Sequence, residues 1–422
     1  MLLAAPVSRP RVQRVRCDAA AAARPDAFSL RCEHFGSCSG CVLSERLEAP
    51  PLLEQATAFF QSDFGATFTL HTGPVQGWRN RARLAVRGVR GAPLVGLYQA
   101  GTHDVLPIPC CVAHHPSINT LAASLLAAAT EAGTAPFQEA SGEGQLRYVQ
   151  LSTLGTAADA PLEVVLVWAG RPQADAQLAP ELQALLTALL RAAPPGLLHC
   201  VHVNYNSSRG NAIVGEHWQQ LHGPRDWHWE RFGAADVAFS PAAFLQANYC
   251  AFDALLVALG DALPKACHVA DVYSGTGAIG LSLLARGVAS TLTSIEVVPA
   301  AAMPFQASVA RLPPALQGRA RMHVASAGSG AALAALVKCG AEVCVVDPPR
   351  KGLDAPLLRL LCEQRACPQL HTLAYVSCGF KALIRDARTL KEAGWSLARP
   401  PEAWQFFPGT DSLETLAIFT RQ

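Results

Sequence analysis

The run Val269-Ala270-Asp271-Val272-Tyr273-Ser274-Gly275-Thr276-Gly277-Ala278-Ile279-Gly280 restricts the fold more than any other stretch. A short apolar strand meets a Gly-x-Gly-x-x-Gly turn, and Leu281 to Arg286 then reads as helix. Strand, glycine turn and helix in that order open a βαβ unit, and the glycines let backbone approach a ligand closely. Thr291 to Ile295 reads as the next strand and Glu296 closes it, about twenty residues past the turn, where an acid can accept both hydroxyls of a ribose. The expected class is therefore α/β, with a mostly parallel, Rossmann-like sheet that takes a nucleotide at its carboxyl edge. The pattern by itself does not separate a dinucleotide from S-adenosylmethionine.

Three further stretches lead to the same edge. Glu342 to Val346 runs as a strand into Asp347-Pro348-Pro349-Arg350, where prolines fix the backbone and leave carbonyls free beside a carboxylate. Thr372 to Val376 runs as a buried strand into Ser377-Cys378-Gly379, a small turn that pushes a thiol outward. Near the C-terminus, Glu414 stands at the start of the apolar strand Thr415 to Thr420, and burial there would raise its pKa toward that of a working base.

The rest of the chain is of a different character. The 422 residues exceed one ordinary domain, half are hydrophobic, and the net charge is only +2, so a polyanion would need a local basic patch. No apolar run is long enough for a membrane span. Residues 1–28 are Arg-rich, Ala-rich and poor in acids, the composition of an organelle transit peptide, chloroplast or mitochondrial. Fourteen cysteines in a chain with this much core point to metal or catalytic use in a reducing compartment. Cys32, Cys38 and Cys41 stand at C-x5-C-x2-C, three thiolates of a four-ligand set, with Cys110 or Cys111 available as the fourth. Spacing leaves zinc and an iron–sulfur cluster equally open.

Beyond the expected helix Leu53 to Phe64, Arg79, Arg81, Arg83 and Arg87 alternate with Ala82, Leu84 and Val86. Period two predicts a strand with one arginine face, and beside Trp78 such a face suits phosphates and unstacked bases. Strands Leu146 to Thr153, Leu162 to Trp168 and Leu197 to Tyr205, with helices Asn119 to Ala132 and Pro180 to Arg191, predict an α+β middle domain.

With these residues in place, the chain from Cys32 onward resembles the RNA uracil-5-methyltransferases, in particular the short 23S ribosomal RNA form without an N-terminal TRAM domain. The resemblance implies a class I methyltransferase domain over 232–422, a central RNA-binding domain over 51–231, and an iron–sulfur segment over 29–50. It implies a [4Fe–4S] cluster on Cys32, Cys38, Cys41 and Cys111, and S-adenosylmethionine contacts at Gln246, Tyr273, Glu296 and Asp347. Cys378 falls on the family's nucleophile and Glu414 on its base. Trp78, Arg79, Arg81 and Arg83 become candidate RNA contacts. The implied partner is ribosomal RNA, with transfer RNA as the alternative, and the implied protein is a monomer. Gly379-Phe380 stand where Asn-Pro is usual, Ser412 where His is usual, and Ala325-Ser326-Ala327 where an acid usually meets adenine. A rival expectation is an RNA-binding assembly factor that kept the fold without strong catalysis.

Overall fold

The computed structural model describes residues 11–14, 28–173, 177–208, 210 and 212–421. Of the expected transit segment, Arg11–Arg14 form a short strand parallel to Thr69–Thr72, and residues 1–10 and 15–27 lie outside the described residues. Among the described residues no helix is long and apolar enough to cross a membrane.

The largest sheet carries a parallel core in the order Ala320–Val324, Ala289–Glu296, Cys267–Val272, Val343–Val346, Thr372–Ser377. Glu414–Thr420 then adds antiparallel to Thr372–Ser377, followed by Glu402–Trp404 and Thr69–Thr72. The central strands are continuous apolar runs because both of their faces are covered. Val343, Val345, Ala374 and Val376 face one core, shared with helix Tyr249–Ala262. Cys344, Val346, Leu373 and Tyr375 face the other, shared with helices Pro51–Phe64 and Phe380–Glu392.

This places residues 51–72 differently from the sequence-based boundary. Helix Pro51–Phe64 buries Leu53, Phe59 and Phe60 against the large sheet, Phe60 stacks on Phe68 with centroids 5.3 Å apart, and Thr69–Thr72 is one of that sheet's strands. The reason is a hydrophobic stripe whose complement lies in the C-terminal half, a pairing that local pattern does not reveal.

The second sheet has seven strands in the order Val105–Pro107, Ala92–Tyr98, Arg81–Val89, Leu146–Thr153, Leu162–Trp168, Leu198–Tyr205, His217–His222. Helices Pro116–Glu131 and Pro180–Ala192 cover one face through Leu121, Leu125, Leu185 and Leu189. The other face meets the hairpin His228–Phe232 and Ala235–Phe239 and the loop 240–248. Arg81 is central to that junction: its guanidinium donates to the carbonyls of Ala243 at 2.8 Å and Pro241 at 3.4 Å. Its neighbour Asn80 donates its backbone N–H to Ala247 O at 2.7 Å and its side-chain amide to Thr153 Oγ1 at 3.0 Å.

Arg81→Ala leaves two carbonyls without their donor, at a cost of about 1–3 kcal/mol. The expected result is a lower thermal midpoint together with faster limited proteolysis within 240–248; unchanged cleavage there would show that the loop is held by other contacts.

Candidate active site

The strand pairing sets the central geometry. Thr372 lies opposite Thr420 and Ser377 opposite Thr415, and one further step of the same antiparallel register sets Cys378 across from Glu414. Directly opposed residues carry Cβ atoms about 4.5–5.5 Å apart. Cys378 is half-buried, outside the core, at the turn where its strand ends. Glu414 is 5% exposed and pairs on its other side with Trp404, itself 1% exposed. Asp347 ends the adjacent parallel strand, its backbone N–H donating to Val272 O at 3.3 Å. Three strand ends thus bring a thiol and two carboxylates to one sheet edge.

Electrostatics follow from that crowding. Burial, then the carboxylate of Asp347, pushes the Glu414 pKa well above the ordinary carboxyl range, while Arg350 opposes the shift. Asp347 is raised to about 7 by burial and by Asp271. The Cys378 thiol is pushed up to about 11 by burial first, then by Glu414 and Asp347, with Arg350 again pulling down. Arg350 is the cation of the site, and its backbone presses on the nucleophile turn: a Cβ at Gly379 would lie 2.5 Å from Arg350 O and 2.9 Å from its Cα. That close approach explains the glycine where Asn is usual. Ser412, where His is usual, is turned into its own loop, 2.7 Å from Thr410 Oγ1.

The glycine turn lies two strands away. Tyr273 holds φ +64°, a left-handed conformation that is strained for a non-glycine residue and typical of ligand clamps. Its hydroxyl accepts from Asp354 N at 2.9 Å and sits 3.2 Å from Asp354 Oδ2. Glu296 accepts from Gly275 N and from Val298 N, both at 2.8 Å, which fixes the carboxylate across the turn. Asp271 accepts from Gly280 N at 3.0 Å, and its other oxygen, like Ser274 Oγ, is buried without a partner. Burial chiefly, with Glu296 adding, raises Asp271 to about 7. Gln246 is half-buried in the 240–248 loop, which is anchored where Asn248 donates to Phe406 O at 3.1 Å. Alanine and serine at 325–327 present no carboxylate beside Glu296.

Cys32, Cys38, Cys41 and Cys111 line one cavity of about 260 Å³. Cys110 is exposed beside it, so Cys111 is the one that joins the set. Their mutual field raises Cys41 to about 11, after burial. Tetrahedral zinc with bonds near 2.3 Å would hold sulfurs roughly 3.8 Å apart. Among the described residues the only three such donor atoms within 4.8 Å of one another belong to Glu163, Cys200 and His202. Among the described residues, no three of these four thiols lie within 4.8 Å of one another.

The candidate RNA contacts separate. Trp78 is buried, edge-on to Phe407. Arg79 lies 4.9 Å from the Trp78 ring centroid and 5.6 Å from that of Phe407, and burial lowers its pKa despite Cys111 and Cys41. Arg81 is committed to the domain junction. Arg83 is exposed, donating at 2.7 Å to Gln150 Oε1. The alternation along the strand is as expected, but most of its arginine face is turned inward because a second domain packs there.

Sequence reasoning missed two supports. Asp386, fully buried on helix Phe380–Glu392, accepts from Tyr375 OH and from Leu353 N, both at 2.9 Å, and so ties the Asp-Pro-Pro loop to the strand that carries Cys378. An acid on a helix's apolar stripe was the available signal. Gly409 O accepts from Val42 N at 2.8 Å and Leu43 N at 2.9 Å, joining the cysteine segment to the loop before Glu414. No local pattern marks that pair.

A thiol raised to about 11 is alkylated more slowly than an ordinary cysteine at pH 8, and the rate should rise about tenfold per pH unit up to that value. Arg350→Ala should slow modification of Cys378 further; peptide mass spectrometry after timed alkylation reads both effects, and a faster rate in the variant would contradict the charge arrangement.

No protein-family model matches the chain. An RNA methyltransferase of Protochlamydia amoebophila is 30% identical over 393 residues, covering 93% of this chain and 98% of that protein. One from Geobacter sulfurreducens is 28% identical over 414 residues, covering 93% and 77%. Among solved structures, the tRNA (uracil-54, C5)-methyltransferase of Pyrococcus abyssi in complex with S-adenosyl-L-homocysteine superposes with a TM-score of 0.67 at 21% identity, over 91% of this chain and 86% of that one, a likeness of fold. On the extent of the Protochlamydia match, the chain belongs to the RNA methyltransferases.

Proposed function

We propose that this RNA methyltransferase transfers a methyl group from S-adenosylmethionine to C5 of a uridine in structured RNA. The observation that supports the reading is that the half-buried Cys378 and the buried Glu414 adjoin the paired residues Ser377 and Thr415, close enough for the carboxylate to act on the thiol. Uracil C5 is a poor nucleophile until a thiolate adds at C6 and turns the ring into an enolate. Cys378 forms that C6–S bond. The enolate C5 then bonds to the methyl carbon as the methyl–sulfonium bond breaks and a neutral thioether leaves; Glu414 takes the C5 proton, and the electron pair of that C–H bond restores the C5–C6 double bond and expels the sulfur. Burial raises the proton affinity of Glu414, which makes its ionised carboxylate the stronger base for the second step. A duplexed or stacked uridine must be flipped to reach Cys378.

S-adenosylmethionine, when bound, supplies an electrophilic methyl. Gln246, Tyr273, Glu296 and Asp347 would hold it, supported by the fixed Glu296 carboxylate, the strained Tyr273 backbone and the unpartnered polar atoms at the turn. Cys32, Cys38, Cys41 and Cys111 would hold a [4Fe–4S] cluster, supported by their spread around one cavity. No electron is needed for the proposed reaction; the segment that carries three of those thiols braces the loop before Glu414, through the backbone N–H groups of Val42 and Leu43 on Gly409 O.

Ribosomal RNA is our first reading of the substrate, on the sequence resemblance. Transfer RNA is the second, favoured by the fold shared with a transfer RNA enzyme. Arg83 remains the exposed arginine available to the RNA backbone. The composition of residues 1–28 supports a chloroplast address, with the mitochondrion as the alternative.

RNA carrying 5-fluorouridine tests the reading, because fluorine at C5 cannot leave as a proton. With S-adenosylmethionine the protein should freeze as a covalent complex, visible as a shifted band on a denaturing gel. Cys378→Ala should give no complex, and Glu414→Gln should accumulate adduct on ordinary RNA while turnover drops about 10²–10⁴-fold. Methylation without any trapped complex would reject the covalent route, and running ribosomal and transfer RNA transcripts in parallel identifies the substrate class.

A further inference from the structure

In the second sheet, Glu163 lies on strand Leu162–Trp168, and Cys200 and His202 lie on strand Leu198–Tyr205. The strands are parallel, with Glu163 paired to Cys200 and Val165 to His202. Their neighbours Leu162, Val164, Val201 and Val203 face the helices, so alternation turns all three side chains to the opposite face, toward strand His228–Phe232. Glu163 is 4% exposed, Cys200 6% and His202 9%.

The distances are unusual for hydrogen bonds. His202 Nε2 stands 3.6 Å from Glu163 Oε2, and Cys200 Sγ stands 3.9 Å from the same oxygen. An N···O separation of 3.6 Å is too long for a hydrogen bond. A tetrahedral ion with bonds of 2.0–2.3 Å, however, separates its ligands by roughly 3.3–3.8 Å. All three donor atoms lie within 4.8 Å of one another. In charge, one thiolate and one carboxylate balance a dication, which removes the cost of burying them together.

A second observation comes from the facing strand. His228 is 4% exposed, and its Nε2 lies 3.0 Å from Glu230 Oε1, an oxygen that also accepts from Gly155 N at 2.7 Å. Its Nδ1 is buried with no partner. One ring nitrogen on a fixed carboxylate and the other bare is the arrangement of a metal-facing histidine. The charge of His228 reaches His202 and His199, although its ring nitrogens are not among the donor atoms that lie within 4.8 Å of one another.

We propose that Glu163, Cys200 and His202 form a zinc site, separate from the four-cysteine cavity, with a fourth position open to water. A mixed sulfur, nitrogen and oxygen donor set in tetrahedral spacing selects zinc over calcium or magnesium, which take oxygen alone. The ion would pin two strands of the central sheet beside the hairpin that leads into the methyltransferase domain. This site does not depend on the uridine chemistry.

The test uses the full-length protein. Zinc titrated into chelator-treated protein should bind one equivalent at this site and raise the thermal midpoint. X-ray absorption at the zinc edge should show one sulfur with nitrogen and oxygen neighbours. Cys200→Ser and His202→Gln should each cut bound zinc at least fivefold, while Cys41→Ser leaves it in place. A shell of four sulfurs, an unchanged midpoint on zinc addition, or full zinc retention in Cys200→Ser overturns the proposal. Should Cys200→Ser fail to fold, the absorption spectrum of the unaltered protein decides alone.

Discussion

The antiparallel pairing of Glu414–Thr420 with Thr372–Ser377 is what the candidate active site depends on. A slip of one residue would turn Glu414 to the other face of the sheet and separate it from Cys378. The register is protected because both strands are buried up to Thr420: Leu373, Tyr375, Ala417 and Phe419 fill one core while Ala374, Val376, Leu416 and Ile418 fill the other. Hydrophobic packing on two faces thus determines the placement of two polar groups at the strand ends.

Those polar groups are held at a cost. Three carboxylates (Asp271, Asp347 and Glu414) lie near one another in surroundings that favour their neutral forms. Arg350 opposes the shift at Glu414, and the backbone it belongs to is fixed by contact with Gly379 and by the Asp386 bonds to Leu353 N and Tyr375. Such an edge favours a cationic ligand and sets the protonation state of whatever carboxylate acts there.

Support reaches the same edge from distant parts of the chain. The cysteine segment grips the loop before Glu414 through Gly409 O, and Gln405 Nε2 donates to Leu47 O at 2.6 Å. The central sheet grips the 240–248 loop through Arg81 and Asn80. The two outlying units therefore converge on loops flanking the C-terminal sheet, which makes their placement part of the site's geometry.

Much of this was legible from residue order. The glycine turn, the Asp-Pro-Pro loop, Ser-Cys-Gly and the strand led by Glu414 are local patterns, because period and turn chemistry act over neighbouring residues. The strands at 146–153 and 162–168 were likewise legible as runs of apolar and β-branched residues. What required the folded chain was every relation between distant segments: that residues 51–72 complete the C-terminal sheet, that Arg81 faces a domain junction, that Cys111 and not Cys110 joins three early thiols, and that Glu163, Cys200 and His202 share a pocket. Local sequence sets which way a side chain alternates; only the packing of surfaces remote in the chain decides what it meets there.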